Sequence, residues 1–312
     1  MQTLIIFNPY SGRGAGLRAK DSLCAALKRA AITFDMVETE HPGHAILLAH
    51  RARIGGYTTV VAAGGDGTIS EVVNGLMQAS LNGASSPVAG TLGVLPIGSG
   101  NDFATMAGVS RNLDVAAKRL ALAKMRVVDV GTAHYRVGDG WSARYFNNNM
   151  GVGLEAAVIL ESNKIRKLRG IMLYATAAVR ALIKQKSPYM DISWELEDGE
   201  VVDYEKHTLM VSVGNGPRAG GGFYLTPDAK MDDDFLDVAI AKDISRPAVL
   251  ALLPRAMFGK HTGHHAVTML RVRKLHIAIP DGAPMQMDGE IMAEATTEVE
   301  IGLLPQRLQV IV

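Results

Sequence analysis

Cysteine is almost missing from this 312-residue chain. The one present, Cys24, lies in the apolar-periodic segment LCAALKRA, so no internal disulfide can form and a reducing compartment suits the chain. Its thiol reads as a buried helix residue rather than a nucleophile. Aromatic residues are scarce at 5%, yet 48% of residues are apolar and 20% charged, which excludes the composition of a disordered chain. An excess of one charge is missing too. With 32 basic and 31 acidic residues the net charge is +1, so nothing calls for nucleic acid as a partner and any basic surface must be local. No run of about 18 apolar residues occurs, which excludes a spanning helix. The start, MQTLIIFNPYSG, has no basic n-region and meets an Asn-Pro turn at once, so it reads as a first β-strand rather than a signal peptide.

What is there divides at about Val130. Before it, β-branched apolar runs (TLIIF, FDMVET, TTVVAAGG, LGVLPIG) alternate with helical patterns near Leu17–Ala31 and Gly43–Ile54. Such alternation implies βαβ crossovers and a doubly wound parallel sheet over residues 1–130, with ligands at the carboxyl ends of the strands. After it, HYRVGDGWSARYFNNNM, YMDISWELEDGEVVDYEKHTLMVSVGN, FLDVAIAKD, TMLRVRKLHIAIP and TEVEIGLL read as antiparallel strands, a β-rich lobe over 131–302. Helical patterns interrupt it at Leu154–Lys186 and near Pro247–Phe258. The fold class is therefore α/β in two lobes, in line with a length beyond one hydrophobic core.

The most informative segment is VVAAGGDGTISEVVNGL, residues 60–76. An apolar strand runs into Gly64, Gly65, Asp66, Gly67 and Thr68, and a helix with Glu71 and Asn74 follows. The glycines let backbone N–H groups close on a ligand and the helix start adds its positive end, a site for phosphate. Asp66 would repel bare phosphate, so it makes sense with a divalent cation between them. Read as structure alone, the segment is a strand-to-helix turn with Asp66 as cap. NPYSGRGAG (Asn8, Pro9, Ser11, Gly12) and LPIGSGNDFA (Ser99, Asn101, Asp102) end two further strands, so their turns belong on the same sheet edge. Arg13 could assist with phosphate, although an Arg in a turn is more often solvated. The Walker motif G-x-x-x-x-G-K-[ST] and the protein-kinase motifs are absent. GVGLEA at 151–156 matches a loose dinucleotide pattern but sits in the β-rich half, and reads as chance.

Taken in order, NPYSG, GGDGT with EVVNG, PIGSGNDFA, NGPRAGGGFYLTPDAKMDDDFLDV and MDGE resemble the diacylglycerol kinase catalytic domain family of bacterial lipid kinases, over nearly the whole chain. That resemblance implies a nucleotide-binding α/β lobe, a β-sandwich lobe, and a last strand at 303–312 that returns to the first lobe. It implies ATP and magnesium, a membrane-lipid acceptor, and a cytoplasmic protein peripheral to the inner face of the membrane. It carries ATP binding onto Asn8 to Gly12, Thr39, Gly65 to Glu71 and Ser99. A structural magnesium site falls on Asp233 by its carboxylate and on Lys230 and Phe235 by their carbonyls, although Asp234 stands where the family usually carries glycine. Read without the family, that run is an acidic turn. Asp288 and Glu290 resemble the acidic pair near the nucleotide; Glu290 is the expected base for the attacking hydroxyl, with Asp66 the competing candidate. As plain structure, Asp288-Gly289 is a hairpin turn.

Asn163 to Lys186 carries seven basic residues and no acidic one among apolar side chains. It reads either as a helix on an anionic membrane surface or as a packed helix with a solvated basic side. His261, His264 and His265 fit no zinc spacing and read as loop residues, as do His41 and His44. A homodimer through a sheet edge is the expected assembly. Two other readings stay open: an NAD kinase-like enzyme acting on a nucleotide ribose, and a non-catalytic ATP sensor.

Overall fold

A computed structural model describes the chain except Met1, residues 82–87, Arg166, Lys167, Arg169, Glu197, Asp198 and Gly221. It divides into two compact units, Met1–Val130 with Leu304–Val312, and Gly131–Leu303.

In the first unit the elements run β1 (Thr3–Phe7), α1 (Ser11–Arg29), β2 (Asp35–Glu38), α2 (His44–Ile54), β3 (Thr59–Gly64), α3 (Asp66–Leu81), β4 (Thr91–Pro96), α4 (Asp102–Met106) and α5 (Leu113–Leu122). The sheet order is β4-β3-β1-β2, all parallel. β1, β3 and β4 are buried along their whole length, which is why their sequences are continuous apolar runs rather than alternating ones. The helices pack in pairs, α1 with α5 and α2 with α3. Gly75 of α3 permits the second pair, because a Cβ there would stand 2.2 Å from the Ile46 carbonyl oxygen of α2. One expectation needs correcting: Asn8–Gly16 is not a turn throughout, since α1 starts at Ser11.

The second unit holds β5 (Met125–Val137), which begins in the first unit, then β6 (Gly140–Phe146), β7 (Asn149–Gly153), α6 (Leu154–Asn163), α7 (Gly170–Lys184), β8 (Tyr189–Glu195), β9 (Val201–Gly214), β10 (Leu236–Lys242), α8 (Arg246–Met257), β11 (Val267–Val272), β12 (Lys274–Met287) and β13 (Glu290–Ile311). Its antiparallel order is β11-β10-β9-β7-β12-β13. The 14-residue strands β9 and β12 each pair β8 with one half and β7 with the other. β12 changes register between Ala278 and Ala283, the kind of irregularity that lets a strand pass between sheets of a sandwich. Between the strands lies a core that includes Phe146, Met150, Ile192, Val211, Leu275 and Met285. The single helix expected over Leu154–Lys186 is two, α6 and α7, packed on each other. Three of its basic residues, Arg166, Lys167 and Arg169, fall outside the described residues.

The last residues of β13 belong to the first unit, where Gln309 and Val310 pair in parallel with Thr91 and Leu92 of β4. Leu308 and Val310 are fully buried. Leu308→Ala should therefore lower stability by about 2–5 kcal/mol, read by urea unfolding; a loss under about 0.5 kcal/mol would mean that this strand end adds nothing to the first unit.

Candidate functional site

The turns that follow β1, β3 and β4 meet. The Asn8 amide donates to the Ala63 carbonyl (3.0 Å), and the amides of Ile97 and Gly98 donate to Gly64 (2.8 and 3.2 Å). The Asn8 side-chain amide donates to the Thr68 hydroxyl at 2.9 Å, tying the first turn to the start of α3. The backbones touch: a Cβ on Gly98 would lie 2.4 Å from Gly65 Cα, and one on Gly12, whose φ is +60°, would lie 2.9 Å from the Ile97 carbonyl oxygen. Glycine is required at both places for the loops to close. Asn8, Pro9, Ser11, Gly12, Gly64, Gly65, Gly67 and Thr68 thus share one edge with the loop bearing Ser99, Asn101 and Asp102, as a parallel sheet dictates.

The electrostatics of that edge suit a cation. Asp66 accepts the Phe103 amide at 3.1 Å. Burial, and then the charge of Asp102, push its carboxyl above the usual carboxylate range. A divalent ion held with phosphate would relieve both effects, so these residues fit magnesium. Asn101 takes a left-handed backbone (φ +57°) and buries an Oδ1 with no hydrogen-bond partner, a further oxygen at the same place.

Three expected nucleotide residues make contacts within the fold. Both oxygens of Glu71 accept backbone amides at the start of α2, from Gly43 (2.8 Å) and Ala45 (3.0 Å), so the carboxylate caps a helix. Asn74 is buried with its side chain donating to the Ser70 carbonyl, one turn earlier in α3. Thr39 is buried and its amide extends the β1–β2 ladder to Phe7. Glu71 and Asn74, expected on the nucleotide side, thus spend these side-chain groups on contacts within the fold, whereas at Thr39 the group engaged is the backbone amide.

In the second unit Asp288 lies in the turn between β12 and β13. Its Oδ1 accepts the amides of Asn148 (2.9 Å) and Asn149 (3.1 Å), its Oδ2 that of Asn147 (3.1 Å), and its own amide donates to the Asn149 carbonyl (2.8 Å). Expected as a catalytic acid, Asp288 is buried and holds the turn instead. Glu290, the next acid in chain, is half-exposed and faces the Arg144 guanidinium of β6 at 3.0 Å.

Beside this turn is a cavity of about 320 Å³. Its wall is almost wholly apolar, with Leu154 and Val158 of α6, Val179 of α7, Met210 of β9, and Leu253 and Met257 of α8. The polar exceptions include Glu155, Gln286 and Gly289, which are linked: Gln286 donates to Glu155 Oε1 (2.8 Å) and accepts the Gly289 amide (2.9 Å). Sequence reading missed Glu155, Gln286 and Arg144. Glu155 lies in GVGLEA, set aside with the dinucleotide pattern; an acid amid apolar residues at a strand-to-helix junction was the available signal.

At the expected structural metal site, Asp233 pairs by Oδ2 with Arg271, while its Oδ1 is buried without a partner. Asp237 nearby is pushed up to about 6 by burial, which Arg271 opposes and the charges of Asp233 and Asp228 reinforce. Asp234 has φ +62°, the left-handed backbone that favours glycine, the residue that the resemblance places at this position. Arg271 and Arg273 lie over the Phe235 ring. The free carboxylate oxygen and the surplus negative charge fit a hard cation. Among the described residues no three His, Cys, Asp or Glu side chains converge on a metal position, so an ion here would lean on Asp233 and on carbonyls such as those of Lys230 and Phe235. His261 is buried, with Nε2 3.0 Å from the Leu225 carbonyl oxygen, and His264 stacks near His265.

Comparison with known proteins bears on both units. A diacylglycerol kinase catalytic domain profile matches residues 2–133, and a YegS C-terminal NAD kinase beta sandwich-like domain profile matches 148–312. A diacylglycerol kinase of Staphylococcus aureus (strain bovine RF122 / ET3-1) is 28% identical over 287 residues, 92% of this chain and 85% of that one. A crystal structure from Bacillus anthracis str. Sterne, of a protein assigned as a diacylglycerol kinase, aligns with a TM-score of 0.78 at 26% identity, covering 99% of this chain and 94% of that one. Yeast NADH kinase complexed with NADH aligns with a TM-score of 0.50 at 11% identity, over 100% of this chain and 83% of that one, a likeness of fold alone.

The Asp288 contacts make a direct prediction. Asp288→Ala leaves three buried amides without their acceptor and should cost at least about 2 kcal/mol, seen as a lower Tm; an unchanged Tm would show that the turn is held by other contacts.

Proposed function

Because the chain belongs to the diacylglycerol kinase catalytic domain family, we propose that it transfers the γ-phosphoryl group of ATP to a hydroxyl of a membrane lipid such as diacylglycerol. The observation that carries the acceptor half is the apolar cavity whose wall includes Gly289, the chain neighbour of Glu290. An apolar wall with polar groups linked on one side suits a molecule with a hydrocarbon body and an oxygen-bearing head. It ill suits a nucleotide ribose and base, which need donors and acceptors all round, so the NAD kinase-like reading draws support from fold alone. The Glu290 carboxylate, steadied by Arg144, takes the proton of the lipid hydroxyl as that oxygen bonds to phosphorus and the bond to the β-phosphate oxygen breaks. Asp66 and Asp102 are the residues that would hold magnesium, which when bound would supply neutralisation of phosphate charge.

Contact with an anionic membrane belongs to the same proposal. α7 and α8 both line the cavity and both carry exposed apolar side chains, Met172, Val179 and Ile183 on one and Leu250 on the other, with Phe258 just beyond. Exposed Arg180 and Lys186 lie along the same segments, whereas Arg246 donates to the carbonyls of Leu182 and Gln185 and Lys184 is engaged by Glu161. A basic and apolar surface of this kind binds the boundary of an anionic bilayer. No helix among the described residues is long and apolar enough to cross one. Ile183→Asp with Phe258→Asp should abolish co-sedimentation with phosphatidylglycerol vesicles while leaving the Tm unchanged; sedimentation equal to wild type would remove this surface from the account.

The activity itself is tested with labelled ATP, magnesium and vesicles of total lipid extract. Wild type should label a lipid, and Glu290→Ala should lower kcat about 10²–10⁴-fold. Labelling of NAD and of no lipid would overturn the proposal, and a Glu290→Ala enzyme with wild-type kcat would remove Glu290 as base.

A further inference from the structure

Among the described residues Glu155 is the one acid on the wall of the apolar cavity, and nothing in the proposed chemistry uses it. Its Oε1 accepts two amides, from Asn149 of β7 at 2.6 Å and from Gln286 of β12 at 2.8 Å. Its Oε2 is buried and makes no hydrogen bond, not even to the nearby Ser212 hydroxyl, and is packed where a Cβ on Gly151 would stand 2.3 Å away. The contacts continue outward. Gln286 turns its own oxygen to the Gly289 amide at 2.9 Å, and the Asn149 carbonyl accepts the Asp288 amide at 2.8 Å. Both partners of Glu155 therefore grip the turn that ends in Glu290, one on each side of it.

We propose that Glu155 is a positioning residue: through Gln286 and Asn149 it fixes the Asp288–Glu290 turn, and with Gln286 it forms the polar side of the cavity against which the acceptor's hydroxyl end is seated. The second half rests on the lipid-kinase reading; the first does not. An amide side chain can rotate end for end, and Gln286 must present its oxygen to Gly289 for the turn to hold. With Oε1 of Glu155 as acceptor, the Gln286 nitrogen faces inward and its oxygen outward to Gly289. A hydrocarbon side chain at 155 would leave that orientation unset and two amides without an acceptor.

The seat is sensitive to protonation. Burial pushes the Glu155 carboxyl up to about 7, against the opposing pull of the Ser212 hydroxyl and the Asn149 and Gln286 amides. The groups facing it from β9, β7 and β12, which are Ser212, Asn149 and Gln286, carry no charge, and Tyr174 of α7 is the other titratable side chain among the lining residues described. Below neutrality the group is uncharged and compatible with an apolar guest. Above it, a charge appears beside hydrocarbon.

The test compares Glu155→Leu, Glu155→Gln and Gln286→Leu with wild type, by amide hydrogen exchange at Gly289 and by lipid phosphorylation. Glu155→Leu should speed Gly289 exchange by about tenfold or more and lower kcat by about tenfold or more, with the KM for ATP unchanged. Glu155→Gln retains an acceptor oxygen and should return both to near wild type. The wild-type KM for the lipid should rise by up to about tenfold from pH 6 to pH 8 as the neutral form is depleted, and that rise should vanish in Glu155→Gln. Should Glu155→Leu fail to fold, Gln286→Leu removes the same acceptor from Gly289 and must give the same acceleration. Unchanged Gly289 exchange in the variants, or a Glu155→Gln enzyme as impaired as Glu155→Leu, overturns the positioning role; a pH-independent wild-type KM overturns the seat. If wild type phosphorylates no lipid while Gly289 exchange still follows residue 155, the acceptor reading fails and the positioning role stands.

Discussion

The carboxylate of Asp288 gathers the backbone amides of three successive residues, Asn147 to Asn149, and the candidate acceptor site takes its shape from that contact. A carboxylate ringed by N–H groups is a strong and directional anchor because its charge is met by fixed dipoles. It fastens the β12–β13 turn to the start of β7, and β7 leads straight into α6 and Glu155. Arg144, Glu290, Gln286 and the cavity wall are thereby held in one framework. The two carboxylates of the turn therefore differ: Asp288 is buried and accepts three backbone amides, while Glu290, two residues on, remains partly open to solvent and faces Arg144.

The first unit solves a different problem by removing side chains. Three loops must approach until backbones touch, and glycine at 12, 65 and 98 allows it. What remains at that edge is a set of amides, small hydroxyls and two neighbouring acids, Asp66 and Asp102, a surface whose chemistry suits phosphate met through a cation rather than directly. The apolar strands beneath, buried on both faces, keep the edge rigid.

Much of this was legible in the sequence, and for identifiable reasons. Continuous apolar runs such as TLIIF and TVVAAG mark parallel strands because both faces are covered, and GGDGT marks a tight strand-to-helix junction because a side chain at Gly64 or Gly65 would collide with its neighbours. The return of the C-terminal strand to β4 followed from the family resemblance rather than from any local pattern. Side-chain direction was not legible. Glu71 and Asn74 follow GGDGT as any ligand-facing pair would, yet the helical period turns Glu71 onto the start of α2 and buries Asn74 in α3. Asp288 and Glu290 look equivalent in MDGE, and contacts more than 100 residues away in chain bury the first in a cage of amides while the second stays half-exposed beside Arg144. The same holds for Glu155, whose partners lie in β7 and β12.

The most direct measurement is a crystal structure with a short-chain diacylglycerol and a non-hydrolysable ATP analogue. The account predicts hydrocarbon in the cavity beside Val158, Met210 and Met257, with the free hydroxyl within hydrogen-bond distance of the Glu290 carboxylate. A lipid bound elsewhere, or one in the cavity with its hydroxyl directed away from Glu290, would contradict it.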